Sequence, residues 1–245
     1  MDFSEKIICL TSKKLKVMEL KIKDIVDLLQ VSEKTVYRWI RDKKIPCYKI
    51  NHQYRFNRAE INEWIISNKI ELSSSLINLA VMQNSESFSR LLERGGTVML
   101  EGTDNIKDLL RDAVDKINTP GSLTKEEILT ALIRREELMP TAIGNGIAIP
   151  HPRNPIVIDV NKANVSVCYL SSPANFGALD KQPVHTLFIL LTASPRMHLD
   201  VLSKISYLSR DKKFLEMLKK HSAKEEILNY VVAIEAVWQN VRRAN

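Results

Sequence analysis

Apolar positions recur at helical spacing near the start of the chain. Ile22, Ile25, Val26 and Leu29 fall at i, i+3, i+4 and i+7, one face of a helix. After a break at Gln30–Val31, Ser32 offers an N-cap, and Val36, Trp39 and Ile40 form the apolar face of a second helix. The segment "CYKINHQYRF" then alternates, with polar Asn51–His52 at its centre, and predicts a hairpin. In "NRAEINEWI", Asn57 is positioned as a cap, and Ile61, Trp64 and Ile65 share a face. Helix, short turn, helix, hairpin and helix together predict a small winged helix-turn-helix over residues 17–68.

The pattern changes beyond residue 87. Residues 69–87 read as a connector, punctuated by Ser73–Ser75 and holding an apolar patch of Leu76, Ile77, Leu79 and Ala80 that predicts a short helix. From Phe88 to about residue 243, amphipathic helices alternate with short apolar runs. "SFSRLLERGG" predicts a helix stopped by glycine, and "TVMLE" a strand. "DNIKDLLRDAVDKI" turns Ile106, Leu109, Leu110, Ala113, Val114 and Ile117 inward. A Thr124–Glu127 capping box opens a helix that ends at Pro140. "ANVSVCYL" and "HTLFILLTA" predict strands, the second apolar enough to lie centrally in a sheet. Two helices divided at Arg210–Asp211 and a last helix in "SAKEEILNYVVAIEAVWQNV" complete the pattern. Helices packed on a mixed sheet make an α/β sandwich.

Charge adds a division that periodicity does not show. Residues 1–70 hold 15 Lys/Arg against 9 Asp/Glu, and residues 71–245 hold 21 against 20. The net charge of +7 therefore lies almost wholly in the first unit, as expected where one segment meets a polyanion and another does not. Lys34, Thr35, Tyr37, Arg38 and Arg41 lie off the apolar face of the second helix, and Lys49, His52, Gln53 and Arg55 lie on the hairpin. This mixture can meet phosphates and base edges, so DNA is the expected partner. The unit resembles the excisionase/MerR-type DNA-binding domain, through "VSEKTVYRWIRDKKIP" followed by "YRF" and a short helix. A two-fold operator would suit a homodimer.

Other features exclude chemistry. Cys9, Cys47 and Cys168 form no CxxC pair, and the expectation is reduced thiols in a cytoplasmic protein. "MDFSEKIICLTSKK" carries early acids and does not read as a secretory signal, and runs such as Leu187–Leu191 are too short to cross a bilayer, so no membrane partner is expected. No GxxxxGK[ST], HExxH, GxSxG or dinucleotide-binding glycine pattern is present, and no cofactor or metal is called for.

What remains is "TAIGNGIAIPHPRNP", which places two of only seven glycines around Asn145 and then a single histidine, expected to be exposed, between Pro150 and Pro152. The glycines allow a sharp turn, and the prolines limit how His151 moves. His185 begins an apolar strand and reads as a satisfied sheet-end residue; His221 reads as solvent-facing. The longer stretch "RREELMPTAIGNGIAIPHPRNP", with "ALDKQPVHTLFILLTASPRMHLDVLSKISYLSRDKKFLEML", resembles enzyme IIA of the bacterial phosphotransferase system, fructose/mannitol/nitrogen-regulatory type.

That resemblance implies that His151 accepts a phosphoryl group from a phosphorylated HPr-like carrier, with Arg135, sixteen residues upstream, and His198 as its partners. It implies a cytoplasmic regulator, with "GNGIAIPHPRNP" and "ALDKQPV" closer to the nitrogen-regulatory branch. Two alternatives stay open. One is a sugar-uptake component that passes the phosphoryl group to an enzyme IIB. The other is a protein-interaction module, binding a regulatory target, whose helix-turn-helix does not bind DNA.

Overall fold

The computed structural model describes residues 19–29, 31–50, 52–57, 60, 61, 64 and 86–244. The chain divides into two compact units, Met1–Leu72 and Ser73–Asn245. The expected start at Val17, Asn51 at the hairpin tip, Ile65 and the apolar patch of the connector lie outside the described residues.

The first unit opens with β1 (Glu19–Leu20), followed by α1 (Ile22–Leu29) and α2 (Glu33–Arg41). Ser32 caps α2 as its spacing implies, its hydroxyl accepting the Thr35 N–H at 3.2 Å. β2 (Tyr48–Ile50) and β3 (Gln53–Asn57) form the hairpin, and the antiparallel sheet runs β1-β3-β2. Glu60, Ile61 and Trp64 are helical. Ile25, Val36, Ile45, Phe56, Ile61 and Trp64 are buried, whereas Ile22, Val26, Leu29, Trp39 and Ile40 are only half-buried. Among the described residues the core is thus narrower than the sequence faces suggested. Trp39 packs its ring 5.2 Å from that of Trp64, whose indole N–H donates to the Lys44 carbonyl.

The second unit is a five-stranded mixed sheet with helices. α3 (Phe88–Gly95) ends at Gly96, whose φ of 72° needs glycine, and leads into β4 (Thr97–Leu100). α4 (Ile106–Lys116) starts at an Asn105 cap, and α5 (Lys125–Leu138) at the Thr124–Glu127 capping box. The short strands β5 (Ala142–Gly144) and β6 (Ile147–Ala148) follow, and a 3₁₀ turn at Val160–Lys162 precedes β7 (Asn164–Ala174) and β8 (Val184–Leu191). α6 (Pro195–Leu208), α7 (Lys212–Lys219) and α8 (Lys224–Ala244) complete the chain.

Strand order is β4-β7-β8-β6-β5, so β8 is central, as its apolar run predicts. It pairs antiparallel with β7 and parallel with β6. Seven of its eight residues are buried, and each such Leu, Ile or Val side chain stabilises the fold by about 1.5–3 kcal/mol relative to exposure. Among the described residues, no helix is long and apolar enough to cross a membrane.

Candidate functional site

Three left-handed residues in succession, Gly144 (φ 88°), Asn145 (φ 55°) and Gly146 (φ 72°), make the turn between β5 and β6. Gly146 is required twice over. Besides its φ, a Cβ there would meet the His185 ring at 2.3 Å. Asn145 anchors the turn on both sides. Its N–H donates to Asp180 Oδ2 at 2.8 Å, and its side-chain amide donates to the Ser209 carbonyl, at the end of α6, at 2.9 Å. Beyond the turn, Ile147 and Ala148 pair with Thr186 and Leu187, and the Pro150 carbonyl accepts the Leu190 N–H at 3.1 Å. The glycine turn therefore delivers His151 along the central strand of the sheet.

His151 is 2% exposed, which corrects the expectation of an exposed histidine. Threading Ile147–Pro150 against β8 draws the imidazole inward, between α5 and α6. Arg135, 3% exposed near the end of α5, donates its Nε–H to His151 Nε2 at 3.1 Å and its Nη1–H to the Met139 carbonyl at 2.7 Å. His151 Nδ1 lies 2.6 Å from the Ile149 carbonyl. A carbonyl only accepts and a guanidinium only donates, so the two contacts together assign the proton to Nδ1 and the lone pair to Nε2.

His198 stands in the first turn of α6. Ser194 caps that helix through Met197 N–H at 3.2 Å, and the His198 N–H reaches the Ser194 carbonyl at 3.0 Å. The His198 ring lies 4.7 Å from that of His151, centroid to centroid, and its Nδ1 is 3.4 Å from the Thr192 hydroxyl. The structure thus brings Arg135, His151 and His198 into one buried cluster. Thr192, which ends the run after β8, and the Ile149 carbonyl belong to the same cluster and carry no sequence signal. Glu136 also borders it. Burial pushes its carboxyl pKa up, against the pull of its Thr141 hydrogen bonds and of the Arg135 charge.

The other two histidines of this unit lie outside the cluster. His185 N–H donates to the Gly146 carbonyl at 2.8 Å, and its ring Nδ1 is 2.8 Å from the Thr186 hydroxyl, a satisfied sheet-end residue. Burial, with His221 and Lys219 nearby, lowers its pKa. His221 is half-buried and stacks 5.0 Å from Tyr169, a correction to its solvent-facing expectation.

In the first unit, Lys34, Tyr37, Arg38 and Arg41 are exposed on α2, and Lys49, His52 and Gln53 are exposed on the hairpin. Thr35 is half-buried and shares its hydroxyl with Ser32 at 2.9 Å. Arg55 is half-buried and works within the hairpin, donating to Gln53 Oε1 at 2.6 Å and to the Tyr54 carbonyl at 3.1 Å. Arg41 lies 3.1 Å from Asp42, and the Tyr37 ring packs edge-on against Tyr54.

With this geometry established, comparison with known proteins gives the class. The chain belongs to the family described as phosphoenolpyruvate-dependent sugar phosphotransferase system, EIIA 2, whose model matches residues 90–233. A second model, a helix-turn-helix domain, matches residues 19–69. The nitrogen regulatory protein of Escherichia coli is 34% identical over 116 residues, 46% of this chain and 70% of that protein. That of Pseudomonas aeruginosa is 33% identical over 112 residues, 45% of this chain and 71% of that protein. The crystal structure of nitrogen regulatory protein IIA-Ntr from Neisseria meningitidis shares 29% identity, covering 55% of this chain and 91% of that one, with a TM-score of 0.47.

Proposed function

We propose that His151 accepts a phosphoryl group on Nε2 from a phosphorylated HPr-like carrier, and that the basic first unit binds DNA, making the chain a phosphoryl-responsive regulator. The observation that carries the reading is the pair of hydrogen bonds on His151, which leaves the Nε2 lone pair on the side of a buried guanidinium. A neutral imidazole can attack phosphorus without a separate base. Arg135 first gives up its Nε–H bond to Nε2 and turns that donor toward the phosphoryl oxygens; as the Nε2–P bond forms, the bond from phosphorus to the carrier breaks and its electron pair leaves with the carrier. The Nδ1 proton stays in place. The transferring group is metaphosphate-like, so transfer depends on positioning and charge stabilisation. Arg135 supplies a forked cation, and His198 a second ring with the N-terminal turn of α6 behind it.

The regulatory role draws support from the nitrogen regulatory names of the relatives above and from the helix-turn-helix on the same chain. Transport gives no reason for the helix-turn-helix. A phosphoryl group adds about 1.5 to 2 negative charges near neutral pH, by analogy with phosphorylated hydroxyls. Such a charge is screened within about 8 Å at physiological salt, so an effect on distant DNA contacts passes through a partner or a conformational change.

The test is incubation of the intact chain with phosphoenolpyruvate, enzyme I and an HPr-like carrier. Acid-labile, base-stable label is expected, lost in His151→Ala. Duplex affinity is then compared between the phosphorylated and unphosphorylated forms at fixed salt, with a difference of about 5- to 150-fold expected. Full labelling of His151→Ala overturns the acceptor. Absence of any duplex binding transfers the first unit to protein interaction.

A further inference from the structure

Arg135 and Glu136 are neighbours on α5, yet they reach opposite nitrogens of one imidazole. Arg135 does so directly, at Nε2. Glu136 does so through three links. Its Oε1 accepts the Thr141 N–H at 2.9 Å, and its Oε2 accepts the Thr141 hydroxyl at 2.7 Å. The Thr141 carbonyl accepts the Ile149 N–H at 3.1 Å. The Ile149 carbonyl accepts the His151 Nδ1–H at 2.6 Å. Thr141, Ile149 and His151 are 4%, 1% and 2% exposed, so water does not compete between Thr141 and His151, and Glu136 itself is half-buried.

We infer that Glu136 is a positioning residue for phosphoryl transfer, fixing Thr141 and, through Ile149, holding His151 as the Nδ1–H tautomer. The inference rests on the reading of His151 as the acceptor; its tautomer part stands apart from that reading. The bond made by one ring nitrogen selects the protonation of the other. In the opposite tautomer the lone pair would face the Ile149 carbonyl, and Nε2–H would face the Arg135 N–H, two donors in opposition. Nε2 would then carry a proton and could not serve as the nucleophile.

The geometry explains why the carboxylate sits on this turn. Pro140 and Thr141 must carry the chain from the end of α5 into β5, and a helix C-terminus supplies acceptors rather than donors there. A carboxylate accepts both Thr141 donors at once. It ties α5, which holds Arg135, to Thr141 at the entry to β5, whose carbonyl holds Ile149 just beyond β6. One side chain thus links the elements that carry Arg135 and the Ile149 carbonyl.

The test uses the intact chain labelled with ¹⁵N-histidine. The ring-nitrogen pattern of neutral His151 is recorded by NMR, and the rate of phosphoryl acceptance is measured at saturating phosphorylated HPr-like carrier. The wild type is expected as a single Nδ1–H tautomer. Glu136→Ala should give a mixture of tautomers and slow acceptance by about 10²-fold, the scale of a 1 Å misplacement. Glu136→Gln keeps an oxygen for the Thr141 N–H and should restore most of both readouts. Thr141→Val keeps the N–H, loses the hydroxyl, and should fall between.

A folded Glu136→Ala protein with one unchanged tautomer and the wild-type rate overturns the inference. So does a folded Glu136→Gln protein as impaired as Glu136→Ala. Should Glu136→Ala not fold, Thr141→Val decides, and a wild-type tautomer and rate in it overturn the relay. A wild-type chain that takes no label at His151, but whose tautomer responds to Glu136→Ala, removes the acceptor reading and leaves the tautomer relay standing.

Discussion

The two units place their candidate chemistry in opposite environments. In the first unit Lys34, Arg38, Arg41 and Lys49 are exposed, over a core that holds few buried side chains among the described residues. In the second, Arg135, His151 and His198 are at most 3% exposed, beside a sheet whose central strand is almost wholly buried. Exposed cations act through summed charge in water, where each is worth little and salt screens it. Buried groups act through fixed geometry at low dielectric, where one donor matters greatly and charge alone does not replace shape. The same residue type, arginine, therefore stands in opposite environments in the two units, and the proposed roles predict different responses to substitution.

Arg135→Lys gives the sharpest test of that difference. It keeps the charge and loses the planar fork that spans His151 Nε2 and the Met139 carbonyl. Acceptance should slow by about 10²- to 10³-fold, the scale of removing one preorganised donor. Single-turnover labelling measures it, and a wild-type rate would erase the distinction between the units. In the first unit, a change as small as Arg38→Lys should barely alter duplex affinity.

Salt separates the units next. If Lys34, Arg38, Arg41 and Lys49 each meet one phosphate, duplex affinity should fall by about 10²-fold between 50 and 200 mM salt. Arg38→Ala should reduce the salt slope by about one. Acceptance at saturating carrier should change far less over the same range. A flat salt response of duplex binding would remove the phosphate contacts from α2 and the hairpin.

A smaller effect is expected from Gly146→Ala, where the added methyl meets the His185 ring and a non-glycine residue must hold φ 72°. The loss should exceed about 1 kcal/mol, read as a fall in Tm of about 2–4 °C per kcal/mol for a unit of this size. Ser209→Ala, by contrast, leaves the carbonyl that Asn145 uses and should leave the turn in place. Equal stability of Gly146→Ala and wild type would mean that the turn can relax away from His185.

These cases show what was legible in the sequence. Elements with local rules were: the Thr124–Glu127 box, the Ser32 cap, the glycine stop at Gly96 and the apolar run of β8 all depend on residues a few positions apart. Arg135, His151 and His198 were legible through their motifs. The burial of His151 was not, because it arises from pairing β6 with β8, whose sequence separation leaves no spacing to read. The strands β5 and β6 were missed for the same reason, being three and two residues long and defined by their partners. Glu136 was hidden among the charges of α5, where a carboxylate usually faces water.

Glu235 is the clearest long-range case. Local rules make Ser87 the cap of α3, yet its side chain makes no capping bond and donates instead to Glu235 Oε2 at 2.8 Å. Glu235, far along α8, accepts the Phe88 N–H at 2.7 Å, the Ser89 N–H at 3.2 Å and the Ser89 hydroxyl at 2.7 Å, with Lys204 of α6 at 3.7 Å. Burial pushes its pKa up, but the bonds from Ser89, Ser87 and Phe88, with the Lys204 charge, outweigh burial and hold it below the ordinary carboxylate range. A carboxyl depressed on folding contributes stability that is present above its unfolded pKa and lost as pH falls through its folded value. Glu235→Ala should therefore destabilise the second unit by about 1–2 kcal/mol at pH 7, the worth of a lost cap. That difference should shrink as pH falls below about 4.3, the unfolded value for glutamate. Urea unfolding of both proteins from pH 7 down to the acid limb measures it. A difference that stays constant down to the acid limb would mean that packing of α8, rather than the ionised carboxylate, holds the start of α3.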